Sequence, residues 1–201
     1  MISRGPFIAA VETIVFMMIL PTLIAGCAST INRPLARDPE GIAQIDHGYA
    51  LLDSLLSDES SVADILVIKS VRDDVGRLLE RISKLAKADR AALQNLYPLS
   101  PGVDPSKDGL PRIEEDARAR IRNQQTGLLL MSGGEEFEVL ILLTQEKATD
   151  YAEALCRSLA DADPRADRRK ALEGMAEGWR EMNRRARSLF TLKPQPRVGK
   201  D

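Results

Sequence analysis

Apolar side chains recur at alternating intervals of three and four residues through most of this 201-residue chain. The clearest run consists of Leu172, Met175, Trp179, Met182, Ala186 and Leu189. Because an α-helix completes a turn in 3.6 residues, this spacing places such side chains on one face of a helix. No strand-type alternation competes with it, and aromatic residues make up only 4% of the chain. The pattern therefore predicts an all-α protein.

Capping residues, prolines and glycines divide this pattern into five helices. Asp38-Pro39 and Asp163-Pro164 each join a good N-cap residue to a proline, which suits the first helical position. The longest loop is predicted over residues 98–110, which are rich in proline and glycine. The predicted helices span residues 39–57, 62–97, 111–131 and 135–161, followed by a fifth helix that begins after Asp163-Pro164 and ends before Pro194.

Short links between helices favour antiparallel neighbours. We expect an up-and-down antiparallel bundle of four long helices, with a shorter N-terminal helix packed against it. This bundle domain is predicted to span residues 38–192, with Trp179 buried in its seam. The tail 193–201 is basic and contains proline, and is predicted to be disordered.

An apolar segment near the N-terminus ends in Ile24-Ala25-Gly26-Cys27. Its uninterrupted part runs from Thr13 to Gly26, whereas a membrane-spanning helix needs about 20 apolar residues. The short apolar stretch and the small residues before Cys27 are typical of a secretory signal with a cleavage site. An uncleaved membrane anchor is the alternative, and Glu12 at the border of the segment disfavours a spanning helix.

The string that ends in Cys27 resembles the lipobox of bacterial lipoproteins, with Ile24 in the place of the commoner leucine. The resemblance implies that residues 1–26 are a signal peptide and that residues 27–37 form a lipidated tether. It also implies a diacylglycerol on the sulfur of Cys27 and an acyl chain, typically palmitate, on the new amino group. Two or three acyl chains give stable membrane anchoring. The absence of aspartate directly after Cys27 implies the outer membrane, facing the periplasm.

Few residues outside this segment qualify as catalytic. His47 is the one histidine of the chain, and the helical stripe places it on the outward face of the first helix. A nucleophilic triad needs a base, and Cys/His zinc sites need several ligands at defined spacings. If Cys27 is lipidated, Cys156 has no partner, and we interpret it as a small hydrophobic residue half-buried on a helix. The sequence therefore predicts no catalytic, cofactor-binding or metal-binding residue.

Acidic side chains are the remaining candidates for a site. They lie on the third and fourth helices: Glu114, Glu115, Asp116, Glu135, Glu136, Glu138, Glu146, Asp150 and Glu153. Glu138 is the most inward of them, but a charged run beside an apolar seam is usually a solvated flank. The stretch from Phe137 to Leu189, with Tyr151 and Trp179, resembles the second hairpin of ferritin-like bundles. Di-metal bundles use Glu-x-x-His pairs, which this chain lacks, so the resemblance implies a ferritin-like fold without the metal site.

The formal net charge of −2 gives no argument for nucleic-acid binding. We therefore expect a non-enzymatic structural or interaction module of the cell envelope, with a membrane anchor at Cys27, an envelope protein as partner and no cofactor. The alternative is a ferritin-like protein that binds a metal or a small ligand. Three or more carboxylates converging in the core would favour the metal, whereas an apolar core would favour the interaction module.

Overall fold

A computed structural model describes residues 39–99, 102–106 and 110–191. In chain order it contains α1 (Pro39–Ser60), a 3₁₀ helix (Val62–Val67), α2 (Asp73–Leu96), α3 (Arg112–Met131), α4 (Gly134–Ala162) and α5 (Ala166–Thr191). No strand occurs among these residues, which confirms the all-α prediction. The described residues lie in one compact unit and share one hydrophobic core cluster. The predicted signal peptide, the tether with Cys27, and the tail lie outside the described residues.

Helices α1, α2, α4 and α5 surround the core, and each runs antiparallel to the helices it packs against. Two contacts at different levels along each pair of neighbouring helices establish these directions. They are Ser60–Ser83 and Asp53–Arg90 between α1 and α2, Tyr49–Asp163 and Glu59–Gln145 between α1 and α4, Glu146–Arg187 and Arg157–Glu177 between α4 and α5, and Leu85–Gly178 and Leu99–Arg168 between α2, with the residues just after it, and α5. As a consequence, α2 and α4 run in the same direction.

Helix α3 carries the chain back along the bundle between the end of α2 and the start of α4. Its 20 residues make it about 30 Å long, close to the length of the bundle helices. Arg118 lies over the ring of Tyr151 at 6.0 Å, and a guanidinium nitrogen of Arg122 lies 3.9 Å from Asp58. These contacts place α3 along the side formed by α1 and α4. None of the residues of α3 is buried.

The bundle is confirmed, but its peripheral helix is α3 rather than the N-terminal helix. α1 extends to Ser60, beyond its predicted end, and contributes Ile45, Tyr49, Leu52 and Leu56 to the core. The predicted apolar stripe of α3 is largely exposed. Periodicity identifies an apolar face but does not identify what covers that face. A crossover helix packs on one side of a finished bundle, so its apolar face can remain uncovered.

The prediction of one continuous helix over residues 62–97 was wrong, because the chain leaves the helical path between the 3₁₀ helix and α2. The ammonium group of Lys69 donates hydrogen bonds to the carbonyl oxygens of Leu130 and Ser132, at 2.7 Å each. The backbone N–H of Arg72 donates to a carboxylate of α4 at 2.7 Å. These contacts come from residues far along the chain, and they fix the break where local propensity does not.

Two features show how closely the four helices pack. Trp179 is fully buried, as predicted from the α5 seam. At Gly48, an added Cβ would lie 2.6 Å from the side chain of Leu159, so the absence of a side chain at this position lets α1 and α4 pack closely.

None of the described helices combines the length and the apolar character that crossing a membrane requires.

Candidate functional site

His47 lies half-buried on α1, whereas the stripe pattern predicted an exposed position. The buried face of α1 is wider than the stripe because this helix packs against both α2 and α4. Asp46 and Ala50 are therefore buried as well, although neither belongs to the stripe. Ile42, which does belong to it, is exposed near the start of the helix.

Glu138 is buried, and its interpretation as a solvated flank was wrong. One carboxylate oxygen accepts the backbone N–H of Arg72 at 2.7 Å, and the other accepts Nε of the same residue at 2.8 Å. Arg72 directly precedes α2, so the carboxylate lies where the positive end of the helix dipole favours negative charge. Glu138 therefore attaches the start of α2 to α4, which is a structural role.

Replacing Glu138 with glutamine should lower the free energy of unfolding by about 1–3 kcal/mol, because it removes a charge-assisted pair and leaves buried groups imperfectly matched. Glu135→Gln is the matched control, since Glu135 is exposed on the same helix, and surface substitutions usually stay within about 0.5 kcal/mol. Urea unfolding followed by circular dichroism measures both. Equal, near-neutral effects of the two changes would show that the Arg72 pair contributes nothing.

The other acidic candidates on α4 mostly pair with arginines of α4 and α5. Glu146 accepts Nε of Arg187 at 3.0 Å, and Glu153 accepts Nε of both Arg157 and Arg180 at 2.9 Å. These pairs join the two helices along their length. Within the described ranges, no group of three or more His, Cys, Asp or Glu side chains is placed to hold a metal ion.

A buried ionic cluster that the sequence did not reveal lies at the end of the bundle where α4 meets α5. Asp163 and Arg168 are both almost inaccessible, and Arg168 Nε donates to Asp163 Oδ2 at 2.7 Å. Tyr49 of α1 donates its hydroxyl to the same oxygen at 2.8 Å, and its ring lies under the Arg168 guanidinium. Arg168 also donates to the carbonyl of Leu99, beyond the end of α2. The cluster thus connects all four core helices.

The Asp163-Pro164 signal lies just before a helix, but α5 begins only at Ala166 and Asp163 is the C-cap of α4. The signal gave no hint of the ionic role of Asp163. The Asp163 side chain does accept the backbone N–H of Arg165, at 2.8 Å, as a residue at a helix start would. Its second oxygen, Oδ2, accepts the hydrogen bonds from Arg168 and Tyr49. Desolvation and the neighbouring carboxylate raise the pKa of Tyr49 well above its ordinary value, so its hydroxyl remains a donor at all physiological pH values.

A second buried acid, Glu59 of α1, lies beside Gln145 of α4. Burial raises the pKa of Glu59 to about 7, and the nearby charge of Asp58 adds to this, while the Gln145 amide lowers it in part. Glu59 Oε2 and Gln145 Oε1 are both buried without a hydrogen-bond partner among the described residues. Two unpaired acceptor oxygens favour a protonated carboxyl group, which can donate a hydrogen bond.

The raised pKa of Glu59 makes stability depend on pH. In the unfolded chain the carboxyl titrates near its ordinary value of 4.5, and in the folded protein near 7. Its contribution is therefore fully present below pH 4.5 and is lost as the pH rises toward 7, by about 3 kcal/mol at most. We expect Glu59→Gln to flatten the fall in unfolding free energy between pH 5 and pH 8. Urea unfolding at both pH values measures this fall, with Glu135→Gln as the control. If the unfolding free energy of Glu59→Gln falls with pH as steeply as that of the wild type, Glu59 is not the source of the pH dependence.

Cys156 is fully buried, not half-buried as predicted. Burial raises the pKa of its thiol to about 12, and the charge of Asp89 adds to the increase. Because the thiolate is the reactive form, this cysteine is a packing residue at neutral pH. Burial likewise raises the pKa of Asp89 to about 6, although the adjacent indole of Trp179 lowers it in part. Asp89 Oδ2 and Trp179 Nε1 make no hydrogen bond of regular geometry within the described part of the chain.

The most unusual surface of the molecule is an apolar stripe on α3, which we call the α3 face. Its large side chains are well exposed, from about half for Leu128 to 84% for Ile113 and 90% for Met131. The α3 face consists of Ile113, Ala117, Ile121, Leu128 and Met131. Contiguous exposed apolar surface on a folded protein marks an interaction site more often than single exposed apolar residues do.

Further exposed apolar side chains lie at the end of α3. Val67 and Ile68 are exposed at the end of the 3₁₀ helix, and Leu130 is about half exposed in the last turn of α3. Lys69, through its bonds to the α3–α4 turn, holds these two segments side by side.

Comparison with protein-family models, curated protein sequences and solved structures finds no match for this chain.

Proposed function

We propose that this chain is a lipid-anchored protein of the cell envelope that acts as a non-enzymatic interaction or structural module. The observation that carries the proposal is the α3 face. Burying a large aliphatic side chain contributes about 1.5–3 kcal/mol relative to leaving it exposed. A helix that exposes a whole row of such side chains is therefore stabilised when another surface covers it.

The chemistry of the interior supports a binding role over a catalytic one. In the part of the chain that the structure describes, the buried acids Glu138, Glu146 and Asp163 pair with arginines, Asp46 accepts the backbone N–H of Asp104, and burial raises the pKa of Glu59. The thiol of Cys156 stays protonated at neutral pH. These groups stabilise contacts between helices, and none of them is arranged as a nucleophile beside a base.

The proposed anchor predicts a change in location. Replacing Cys27 with serine removes the sulfur that would carry the diacylglycerol and, by the lipobox resemblance, blocks processing. We expect the variant to leave the membrane fraction or to remain as an unprocessed, mislocalised precursor, because stable anchoring depends on two or three acyl chains. Cell fractionation and immunoblotting measure this, with Cys156→Ser as the control. If the two variants fractionate alike, Cys27 is not the anchor.

The interaction role is tested by placing a photo-crosslinking amino acid at Ile121 of the full-length protein in cells. Glu173, which is exposed on α5, provides the matched control position. The proposal predicts a discrete crosslinked product of defined mass at Ile121 and none at Glu173. No product at Ile121, or the same set of products at both positions, would remove the basis for an interaction module.

The connectivity favours one second candidate, a ferritin-like binder of a metal or small ligand. A single long crossover between the second and third core helices is the arrangement of ferritin-like bundles, and α3 occupies that place here. The metal content of the purified soluble body, residues 28–201, decides between the candidates. Stoichiometric iron, manganese or zinc, lost on Glu138→Gln but not on Glu135→Gln, would favour the ferritin-like function.

A further inference from the structure

We propose that the first part of the α3 face, from Ile113 to Ile121, binds the same part of a second copy of this chain, in antiparallel orientation and with a two-fold axis through Ala117. The inference rests on the proposed interaction role and names the partner. Its basis is the order of charges along α3, in which the acidic residues Glu114, Glu115 and Asp116 precede the basic residues Arg118, Arg120 and Arg122.

The side chains next to the apolar stripe are not equivalent on its two flanks. On one flank, Glu114 and Arg118 form an ion pair at 2.8 Å within the helix, and Arg118 also lies over Tyr151 of α4. On the other flank, Asp116 and Arg120 lie four residues apart and are both exposed. Neither of them makes an ion pair with any residue in the described ranges. This flank therefore has an acid and a base available to a partner.

An antiparallel pair satisfies these charges. When two α3 helices align about Ala117, Ile113 of one lies opposite Ile121 of the other. Measured along the helix axis, Asp116 then lies about 3 Å from Arg120 of the second copy, since each residue adds a rise of about 1.5 Å. In an antiparallel pair related by a two-fold axis each flank faces its own equivalent, so two identical Asp116–Arg120 pairs form.

In a parallel pair about a two-fold axis, by contrast, each flank faces the other flank of the second copy. Asp116 and Arg120 would then lie beside Glu114 and Arg118, which already pair with each other. Flanking charges of this kind set the orientation of paired helices. The small side chain of Ala117 at the axis lets the two backbones come close, since interaxial distance depends on the side chains at the contact. The order of the charges on α3, its apolar stripe and the small side chain of Ala117 therefore all favour the same antiparallel arrangement.

The contact is short, so it is weak between molecules that diffuse freely. Lipid anchoring would confine the copies to one membrane surface and raise their effective concentration. The association is therefore best measured with the full-length protein in the envelope. Cys156 is buried, so a cysteine introduced on α3 becomes the accessible thiol of the folded domain.

Disulfide trapping in cells tests the arrangement. Ala117→Cys places two thiols beside the two-fold axis, and oxidation should give a disulfide-linked dimer on a non-reducing gel. Ala119→Cys is the matched control, because it is exposed on the same helix but about 200° around the axis from Ala117. Dimer from Ala117→Cys with little or none from Ala119→Cys supports the pairing. No dimer, or equal dimer from both, overturns it.

Charge reversal separates a specific pair from chance collision. In the Ala117→Cys background, Asp116→Arg should cause loss of the dimer, and adding Arg120→Asp should restore it, because the pairs then form with exchanged signs. Loss without restoration overturns the Asp116–Arg120 pairing. If no dimer forms but the photo-crosslinker at Ile121 still captures a different protein, self-association fails while the interaction role stands. If it captures only lipid, the α3 face rests on the membrane and both proposals fail.

Discussion

Replacing Arg168 with alanine should lower the free energy of unfolding by about 3–5 kcal/mol, because it leaves the buried carboxylate of Asp163 without its counter-ion. Arg168 is 1% exposed and its partner is fully buried, so water cannot replace the lost guanidinium. The change also removes the hydrogen bond to the carbonyl of Leu99. Urea unfolding followed by circular dichroism measures the effect.

Arg184→Ala is the matched control for this prediction. Arg184 is on the same helix and pairs with Glu181 at 2.6 Å, but it is largely exposed. Exposed ion pairs contribute about 0–1 kcal/mol, so we expect a small effect. If Arg168→Ala costs no more than Arg184→Ala, the cluster around Asp163 does not hold the end of the bundle together.

Replacing Trp179 with alanine should cost about 3–5 kcal/mol, since truncating a fully buried large aromatic residue loses transfer free energy and leaves a cavity. Trp179 is the largest fully buried side chain of the described residues. Phe190→Ala on the same helix is the control, because Phe190 is 40% exposed and should matter much less. Thermal unfolding followed by circular dichroism compares the two. A near-neutral Trp179→Ala would mean that α5 is not packed against the core.

The secondary structure was largely predictable because most helices bury the same face along their whole length. The α5 seam illustrates this, since it includes the buried residues Leu172, Met175, Trp179 and Ala186. The pattern failed where tertiary contacts override it. Lys69 and Arg72 bond to α3 and α4, and these bonds interrupt a run of apolar residues that otherwise continues the helical spacing.

The position of α3 could not be predicted for a related reason. Its apolar stripe has the same spacing as those of the core helices, but spacing carries no information on which helices lie inside. That depends on the direction in which each helix runs. Because α2 and α4 run parallel, the helix between them must cross the outside of the bundle, and this is known only from long-range pairs such as Tyr49–Asp163.

The buried charges were missed because a sequence shows charge but not burial. Glu138 and Asp163 look like surface or capping residues, and each proves to be paired with an arginine of another part of the chain. Glu59 had no distinguishing sequence feature at all. The functional assignment rests instead on the lipobox resemblance at Cys27 and on the α3 face, and these are observations of different kinds.

Mass spectrometry of the intact protein, purified from the membrane fraction of its native cells, tests the central claim most directly. The lipoprotein account predicts a chain that begins at Cys27, with a diacylglycerol on its sulfur and an acyl chain on its amino group. Digestion would locate all of the added mass on the N-terminal peptide. A chain that retains Met1, or one that carries an unmodified Cys27, would contradict the claim.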